Sequence, residues 1–532
     1  MGGDLTDDGS DAGRWGTFRV ERTVLAVTRT LTSAIRLLEA LPVFAGDHRV
    51  RIVFAVDRRS RNSTGVAELI RGLPAKVHSV EDVTHDDWDL VVTASEKLDL
   101  VLDRPAPMLV LPHGIGFHKR VPDADSDDTR VSGVVAPEVL RGGQVRMLVT
   151  HPDHERRLAE LCPETVGRTL LGGDTSLDLL LESAPLRARY REALGLRAGQ
   201  RLVLVTSTWR GQSLLGTDPG LLADLVRELP ADEYRVALVA HPNVWAWEGG
   251  WELRRVADTA LRSGMLLVDP TRGWHAAMVA ADVVIGDHGS VSLYAAATGV
   301  PLLLGAFGDE VVAGTAMAGL GRTAPRLDRS RPLLPQLEEV LAGHRTLVAA
   351  SDVFTEPGQA LRLLRTHCYD ALGLPEPDFP QRPGLAPDPP AALPPLHSLD
   401  VVGTAAESLV TLRRHPVAAR TSGGIRHVSV DVRERDVRRF ADAAVVVRTD
   451  PAGPTWPAEA LDRHPGARIA GMATPDGCVL AVRGSGRFTV KSDLPDPGLL
   501  ASAVYTRLVH TGLVEGTFDL RVGADTTRIT VY

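Results

Sequence analysis

Through the first two thirds of the chain, short apolar runs rich in β-branched residues alternate with longer segments of helical periodicity. The runs are TVLAVT (Thr23 to Thr28), VRIVFAVD (Val50 to Asp57), DLVVTAS (Asp89 to Ser95), PMLVLPHG (Pro107 to Gly114) and VRMLVTHP (Val145 to Pro152), with a helical stretch from Leu31 to Leu41 between the first two. Runs of this length, apolar throughout and ending in Gly or polar residues, are the pattern of parallel strands buried on both faces. They predict a Rossmann-like α/β domain over residues 17–175. A second series over 176–372 opens with a helix around Leu177 to Leu194. It continues with RLVLVTSTWRG (Arg201 to Gly211), YRVALVAHPN (Tyr234 to Asn243), MLLVDP (Met265 to Pro270), ADVVIGDHGS (Ala281 to Ser290) and VPLLLGAFGDE (Val300 to Glu310). A helix from about Pro357 to Leu372 closes it.

Residues 373–396 are so dense in proline that neither helix nor sheet persists, which predicts a semi-extended tether. Residues 397–532 read as a small accessory α+β domain: a helix around Ala405 to Arg413, strand-like runs such as HVSVDVR, AAVVVRT and CVLAVRG, and a helix through Ala501 to Leu513. The fold class is therefore α/β, two Rossmann-like domains followed by a C-terminal α+β domain. Two consecutive halves of this kind facing each other make the GT-B arrangement, whose ligands gather at the carboxyl ends of the strands.

Composition narrows the function classes. A chain of 532 residues that is 44% hydrophobic and 24% charged has material for several globular cores. A net charge of −8 argues against a protein whose main partner is a nucleic-acid backbone. Three scattered cysteines, Cys162, Cys368 and Cys478, form no disulfide framework and point to a reducing compartment. Residues 1–16 are acidic and Gly-rich, unlike a signal peptide, and read as a disordered leader. With no apolar stretch long enough to span a bilayer, the expected location is cytoplasmic, with peripheral contact at the inner face of the membrane left open.

The chemistry concentrates where strands end. After the ADVVIG strand, Asp287-His288-Gly289-Ser290 form a turn into a helix whose first N–H groups lack internal partners. Such a terminus suits a diphosphate, with Gly289 opening the backbone and Ser290 adding a hydroxyl; Asp287 and Ser290 as plain helix caps are the structural alternative. His113, backed by Gly114 at another strand end, is a candidate general base, because imidazole titrates near neutral pH. His241 is placed to donate to a phosphate, and Arg210 offers a fork suited to phosphate oxygens. His151 and His154, three apart without a third ligand, do not make a metal site, and no metal or other cofactor is expected. Trp245, Trp247 and Trp251 read as packing before they read as a platform for a base or sugar.

Taken in order, these segments resemble the CDP-glycerol glycerophosphotransferase family, and more loosely nucleotide-sugar glycosyltransferases of GT-B fold. The similarity lies in LPHGIGFHK (Leu111 to Lys119), GGDTSLDLLL (Gly172 to Leu181), VTSTWRG, VALVAHP, and the Asp287 to Ser290 turn with its G-x-P and second apolar strand. It spans roughly Pro107 to Asp309 and leaves the third domain aside. The resemblance implies a metal-independent transferase. It would take a nucleoside-diphosphate-activated donor and a hydroxyl acceptor, polymeric or lipid-linked acceptors included. His113 and His241 would be catalytic; Thr208, Arg210, Asp287, His288, Gly289 and Ser290 would bind donor; Gly114 and Lys119 would contact acceptor or phosphate. Val239 stands where the family has a basic residue, and the turn departs from the family's D-Y-S-S. A nucleotide-sugar glycosyltransferase and a non-catalytic nucleotide-binding protein therefore stay open.

Overall fold

The computed structural model describes residues 17–60, 63–97, 100–122, 128–343, 347–381, 384–416, 423–450 and 452–532; the expected leader, 1–16, lies outside them. The first lobe is built on β1 (Arg22–Thr28), β2 (Val50–Val56), β3 (Val77–Ser79), β4 (Leu90–Thr93), β5 (Met108–Val110), β8 (Val145–Val149) and β9 (Thr169–Leu171). A small antiparallel pair, β6 (Arg120–Pro122) and β7 (Thr129–Val131), stands apart from that sheet. The seven strands are parallel in the order β3-β2-β1-β4-β5-β8-β9. The second lobe has β10 (Arg201–Ser207), β11 (Tyr234–Ala240), β12 (Leu266–Leu267), β13 (Val283–Gly286) and β14 (Leu302–Leu304), parallel in the order β12-β11-β10-β13-β14. Both are doubly wound sheets, and each reverses strand order beside its first strand, leaving a crevice at that end. The two face each other in the GT-B arrangement.

The helix Ala360–Leu372 ends the second series but packs on the first lobe. Leu361, Leu364, Cys368, Tyr369 and Leu372 join the core formed by β1, β2, β4 and the helix Leu31–Ala40. Tyr369 donates its hydroxyl to Asp47 at 2.8 Å, and Arg22 Nε donates to the Leu372 carbonyl at 2.9 Å. The proline-rich segment is not the free tether its composition suggests. Tyr190 donates to the Ala386 carbonyl (2.6 Å), Leu393 N–H donates to the Leu194 carbonyl (2.9 Å), and Ala386 and Leu393 are buried against the second lobe. Proline forbids regular structure, and the strap is fastened instead by carbonyls such as those of Ala386 and Pro394 and by the N–H groups of its non-proline residues Ala386 and Leu393.

The C-terminal unit is a closed nine-stranded barrel, β15 (Ser398–Ala405), β16 (Leu409–His415), β17 (Ile425–Asp431), β18 (Ala443–Arg448), β19 (Ile469–Thr474), β20 (Gly477–Val482), β21 (Gly486–Lys491), β22 (Gly516–Val522) and β23 (Asp525–Val531). The helix expected around Ala405 to Arg413 is instead the hairpin from β15 to β16; its alternation of Val410 and Leu412 with polar residues is a strand period. The helix Pro497–Thr511 is buried on nearly every face, as a helix enclosed by a barrel must be. Arg414 of the barrel reaches Asp232 of the second lobe (2.6 Å) and is held from its own side by Asp496 (2.6 Å), the N-cap of that helix.

Several buried histidines have lowered pKa values, among them His118 (about 4), His154, His275 and His427 (about 3 each), in every case chiefly because burial disfavours the charged ring. The unfolded chain protonates these rings as pH falls through 6.5, while the folded chain keeps them neutral down to about 4 or lower. Stability is therefore fully present above pH 6.5 and is lost on acidification, at about 1.4 kcal/mol per pH unit for each ring. Urea unfolding between pH 7 and pH 4.5 should show a continuously falling midpoint; a flat profile would contradict this burial.

Candidate functional site

The two crevices open toward each other, so the segments leaving β1, β5, β10, β11, β12 and β13 share one cleft. His113, Gly114, Lys119, Thr208, His241, Asp287, Gly289 and Ser290 all line it, although they come from both lobes. His113 and His241 lie close enough that charge on His113 helps to lower the His241 pKa.

His113 Nδ1 is 3.4 Å from Glu96 Oε2, and Arg130 holds the other oxygen of the same carboxylate at 2.8 Å. Burial pushes the Glu96 pKa up, but the charges of His113 and Arg130 outweigh it and hold the group at about 2. A permanent carboxylate on Nδ1 leaves Nε2 as the atom free to take a proton in the cleft. His241 caps the helix Pro242–Trp247: its Nδ1 accepts from Asn243 N–H at 3.0 Å, which puts its proton on Nε2. Burial, followed by the charges of Lys119 and His113, lowers its pKa to about 3, so at neutral pH it is a neutral donor. The Trp209 ring stacks beside it, with centroids 6.3 Å apart.

Gly114 has φ +76, and a Cβ there would come within 2.6 Å of Ser290 Oγ. Ser290 opens the helix Ser290–Ala297, and its hydroxyl accepts from Ile115 N–H at 3.5 Å. The helix start therefore touches the first lobe at a place only glycine permits. The first-turn N–H groups have no carbonyl within the helix to bond, as the sequence suggests.

Three expected donor contacts stand differently from their sequence reading. Asp287 neither caps the helix, whose N-cap is Gly289, nor has a free oxygen. Its Oδ2 accepts from Thr208 N–H (2.8 Å) and Leu214 N–H (2.8 Å), and Oδ1 accepts from Gly289 N–H (2.9 Å). It staples the loop after β10 to the turn after β13. His288 is fully buried off the cleft; Gly308 N–H donates to its Nδ1 (3.1 Å), and its Nε2 donates to Glu310 (2.7 Å). Arg210, at φ +78, is outside the cleft lining and reaches Glu310 at 3.0 Å. Lys119 does line the cleft, yet its Nζ lies 2.7 Å from the same Glu310 and 3.4 Å from Thr208 Oγ1.

Sequence reasoning missed the carboxylates that organise the cations. Glu96 follows β4 and Glu310 follows β14 at the same topological ends as His113 and Ser290, a positional signal that short-motif reading overlooks. It also missed Arg36, buried between the lobes, which donates to Asp174 (2.7 Å), Glu39 (2.9 Å) and the Tyr294 hydroxyl oxygen (3.2 Å). Of the tryptophans, Trp209 and Trp274 line the cleft, whereas Trp247 and Trp251 are exposed away from it. His151 caps the helix Pro152–Leu161, and buried His154 is 3.1 Å from Thr150 Oγ1.

No family model matches the chain, and no curated protein does. Among solved structures, the wall teichoic acid polymerase TagF is similar at TM-score 0.47 and 13% identity, over 67% of this chain and 90% of that one. UDP-GlcNAc 2-epimerase from Neisseria meningitidis, bound to UDP-GlcNAc, is similar at TM-score 0.41 and 12% identity, over 66% and 99%. MnaA of S. aureus with UDP is similar at TM-score 0.42 and 13% identity, over 68% and 100%. At such scores these likenesses carry nothing about activity, and the two-lobe description stands on the strand orders given above. No helix among the described residues is long and apolar enough to cross a membrane.

Asp287→Ala would orphan three N–H groups, each costing about 1–3 kcal/mol when left unpaired in a buried place. Thermal unfolding of this variant should therefore drop by several degrees; an unchanged midpoint would show that the staple does not bear on stability.

Proposed function

We propose that the chain is a transferase that moves a glycerophosphoryl or related polyol-phosphate group from a CDP-activated donor to a hydroxyl acceptor. The observation that carries this reading is a single cleft between two doubly wound sheets. It combines a carboxylate-held imidazole, His113, with an unpartnered helix start at Ser290 and the cation Lys119. In the proposed reaction His113 Nε2 takes the proton of the acceptor hydroxyl. The acceptor oxygen then bonds to the β-phosphorus, whose bond to the bridging oxygen breaks, and CMP leaves. The Thr208 hydroxyl and the Ser290 N–H would hold the diphosphate, with Gly289 leaving the approach to the helix start open, and His241, as a neutral Nε2–H donor, would hydrogen-bond its oxygens. Lys119 and Arg210 would offset charge that builds on the leaving phosphate, the kind of fixed stabilisation that supplies much of an enzyme's rate. Gly114 would serve by keeping the lobes close, and no metal is called on.

A sugar-transferring reading draws support from Glu310, an acid following β14 that bonds His288. The two readings differ in product: attack at phosphorus releases a nucleoside monophosphate, whereas attack at a sugar carbon releases a nucleoside diphosphate. Incubating the protein with CDP-glycerol and a panel of nucleotide sugars, and resolving the released nucleotide by mass spectrometry, separates them. CMP from CDP-glycerol supports the proposal; UDP or GDP release supports the sugar reading. His113→Ala should lower turnover at least a hundredfold with donor binding kept, in line with the usual worth of a general base. Equal turnover in the variant would remove His113 from the chemistry.

A further inference from the structure

Glu310, beside the cleft, gathers two cations and a histidine on one carboxylate. Its side chain is nine-tenths buried, and Oε1 takes both Lys119 Nζ (2.7 Å) and His288 Nε2 (2.7 Å), while Oε2 takes Arg210 (3.0 Å). Burial pushes its pKa up, but His288 and Lys119 overcome that and hold it at about 2, so it is ionised at any physiological pH. Lys119 comes from the first lobe; Arg210, His288 and Glu310 come from three separate loops of the second. The backbone fixes the carboxylate in place independently of these charges: Arg120 N–H donates to the Glu310 carbonyl (2.7 Å), and Val312 N–H donates to the His118 carbonyl (2.9 Å).

Two permanent cations that would serve a phosphate are thus already engaged by an internal anion. We infer that Glu310 is a charge filter, a specificity-determining residue that competes with bound anions for Lys119, the one of its two cations that lines the cleft, and thereby selects diphosphates over monophosphates. The inference rests on the proposed phosphate role of these cations and goes beyond it. An anion reaching Lys119 must draw it away from Glu310. A monophosphate gains about what the carboxylate gives up. A diphosphate brings more charge and a second phosphoryl group for the N–H groups at the start of the helix Ser290–Ala297, and so it wins the exchange. The residual charge favours this: Lys119 and Arg210 against one carboxylate leave the cluster one positive charge in excess, His288 acting as an Nε2–H donor.

The test is calorimetric titration of the full chain with inorganic pyrophosphate and inorganic phosphate, on the native protein and on Glu310→Gln, with thermal unfolding as the check on folding. Native protein should prefer pyrophosphate by at least tenfold. In Glu310→Gln, phosphate binding should tighten about tenfold or more, and the preference should shrink. Glu310→Asp, which keeps the charge on a shorter arm that reaches fewer cations, should fall between the two, and it carries the test if the Gln variant does not fold. Unchanged or weaker phosphate binding in the variants, with pyrophosphate still bound by native protein, overturns the filter alone. Binding of neither anion by any of the proteins overturns both the filter and the proposed phosphate role.

Discussion

The arrangement depends on how the two lobes are held in register. One point of contact is a fragment of antiparallel pairing in which the backbone of His118 to Arg120 meets that of Glu310 to Val312. Backbone pairing sets position to within a hydrogen-bond length and does not depend on protonation. It puts the loop after β5, which carries His113, opposite the turn after β13, which carries Ser290. The Arg36 cluster fixes the other side of the cleft, where a guanidinium of the first lobe meets Asp174 and Tyr294. Asp174 and the lobe contacts keep that buried cation paired, as its burial requires.

Beyond the Arg36 cluster, the charges around the cleft form two carboxylate-centred groups. Glu96 serves His113 and Arg130, and Glu310 serves Lys119, Arg210 and His288. Both acids sit just beyond parallel strands, where the doubly wound topology leaves a crevice. The first group puts a carboxylate on Nδ1 of His113 and leaves Nε2 to the cleft; the second holds Lys119 and Arg210 on one carboxylate. His241, neutral at physiological pH, adds a directional donor without adding charge. Neither carboxylate is among the residues lining the cleft, yet each fixes one that is.

Much of this was legible in the sequence because buried parallel strands write themselves as continuous apolar runs, and their polar ends mark where ligands gather. His113, Lys119, Thr208, His241 and Ser290 all fall at such ends, and all line the cleft. What stayed hidden depends on distance along the chain. Asp287 reads as a helix cap in a window of ten residues, but its partners Thr208 and Leu214 lie more than seventy residues away. His288 looks like a ligand contact until Gly308 and Glu310 close around it. In the C-terminal unit, Ala405 to Arg413 read as helix because the hairpin's alternation is too short to outweigh its composition, and barrel closure rests on pairings no local pattern encodes. The proline-rich strap shows the converse: composition excluded helix and sheet correctly, yet said nothing of the backbone contacts that dock it.

The central claim is that a nucleoside diphosphate lies between the lobes with its phosphates at the start of the helix beyond Gly289. A crystal structure of the protein soaked with CDP tests it most directly. The account predicts the β-phosphate within hydrogen-bond distance of the Ser290 and Val291 N–H groups, with Lys119 turned from Glu310 toward it and His113 facing the open side. Density for CDP elsewhere on the molecule, or a cleft that stays empty at saturating CDP, would contradict it.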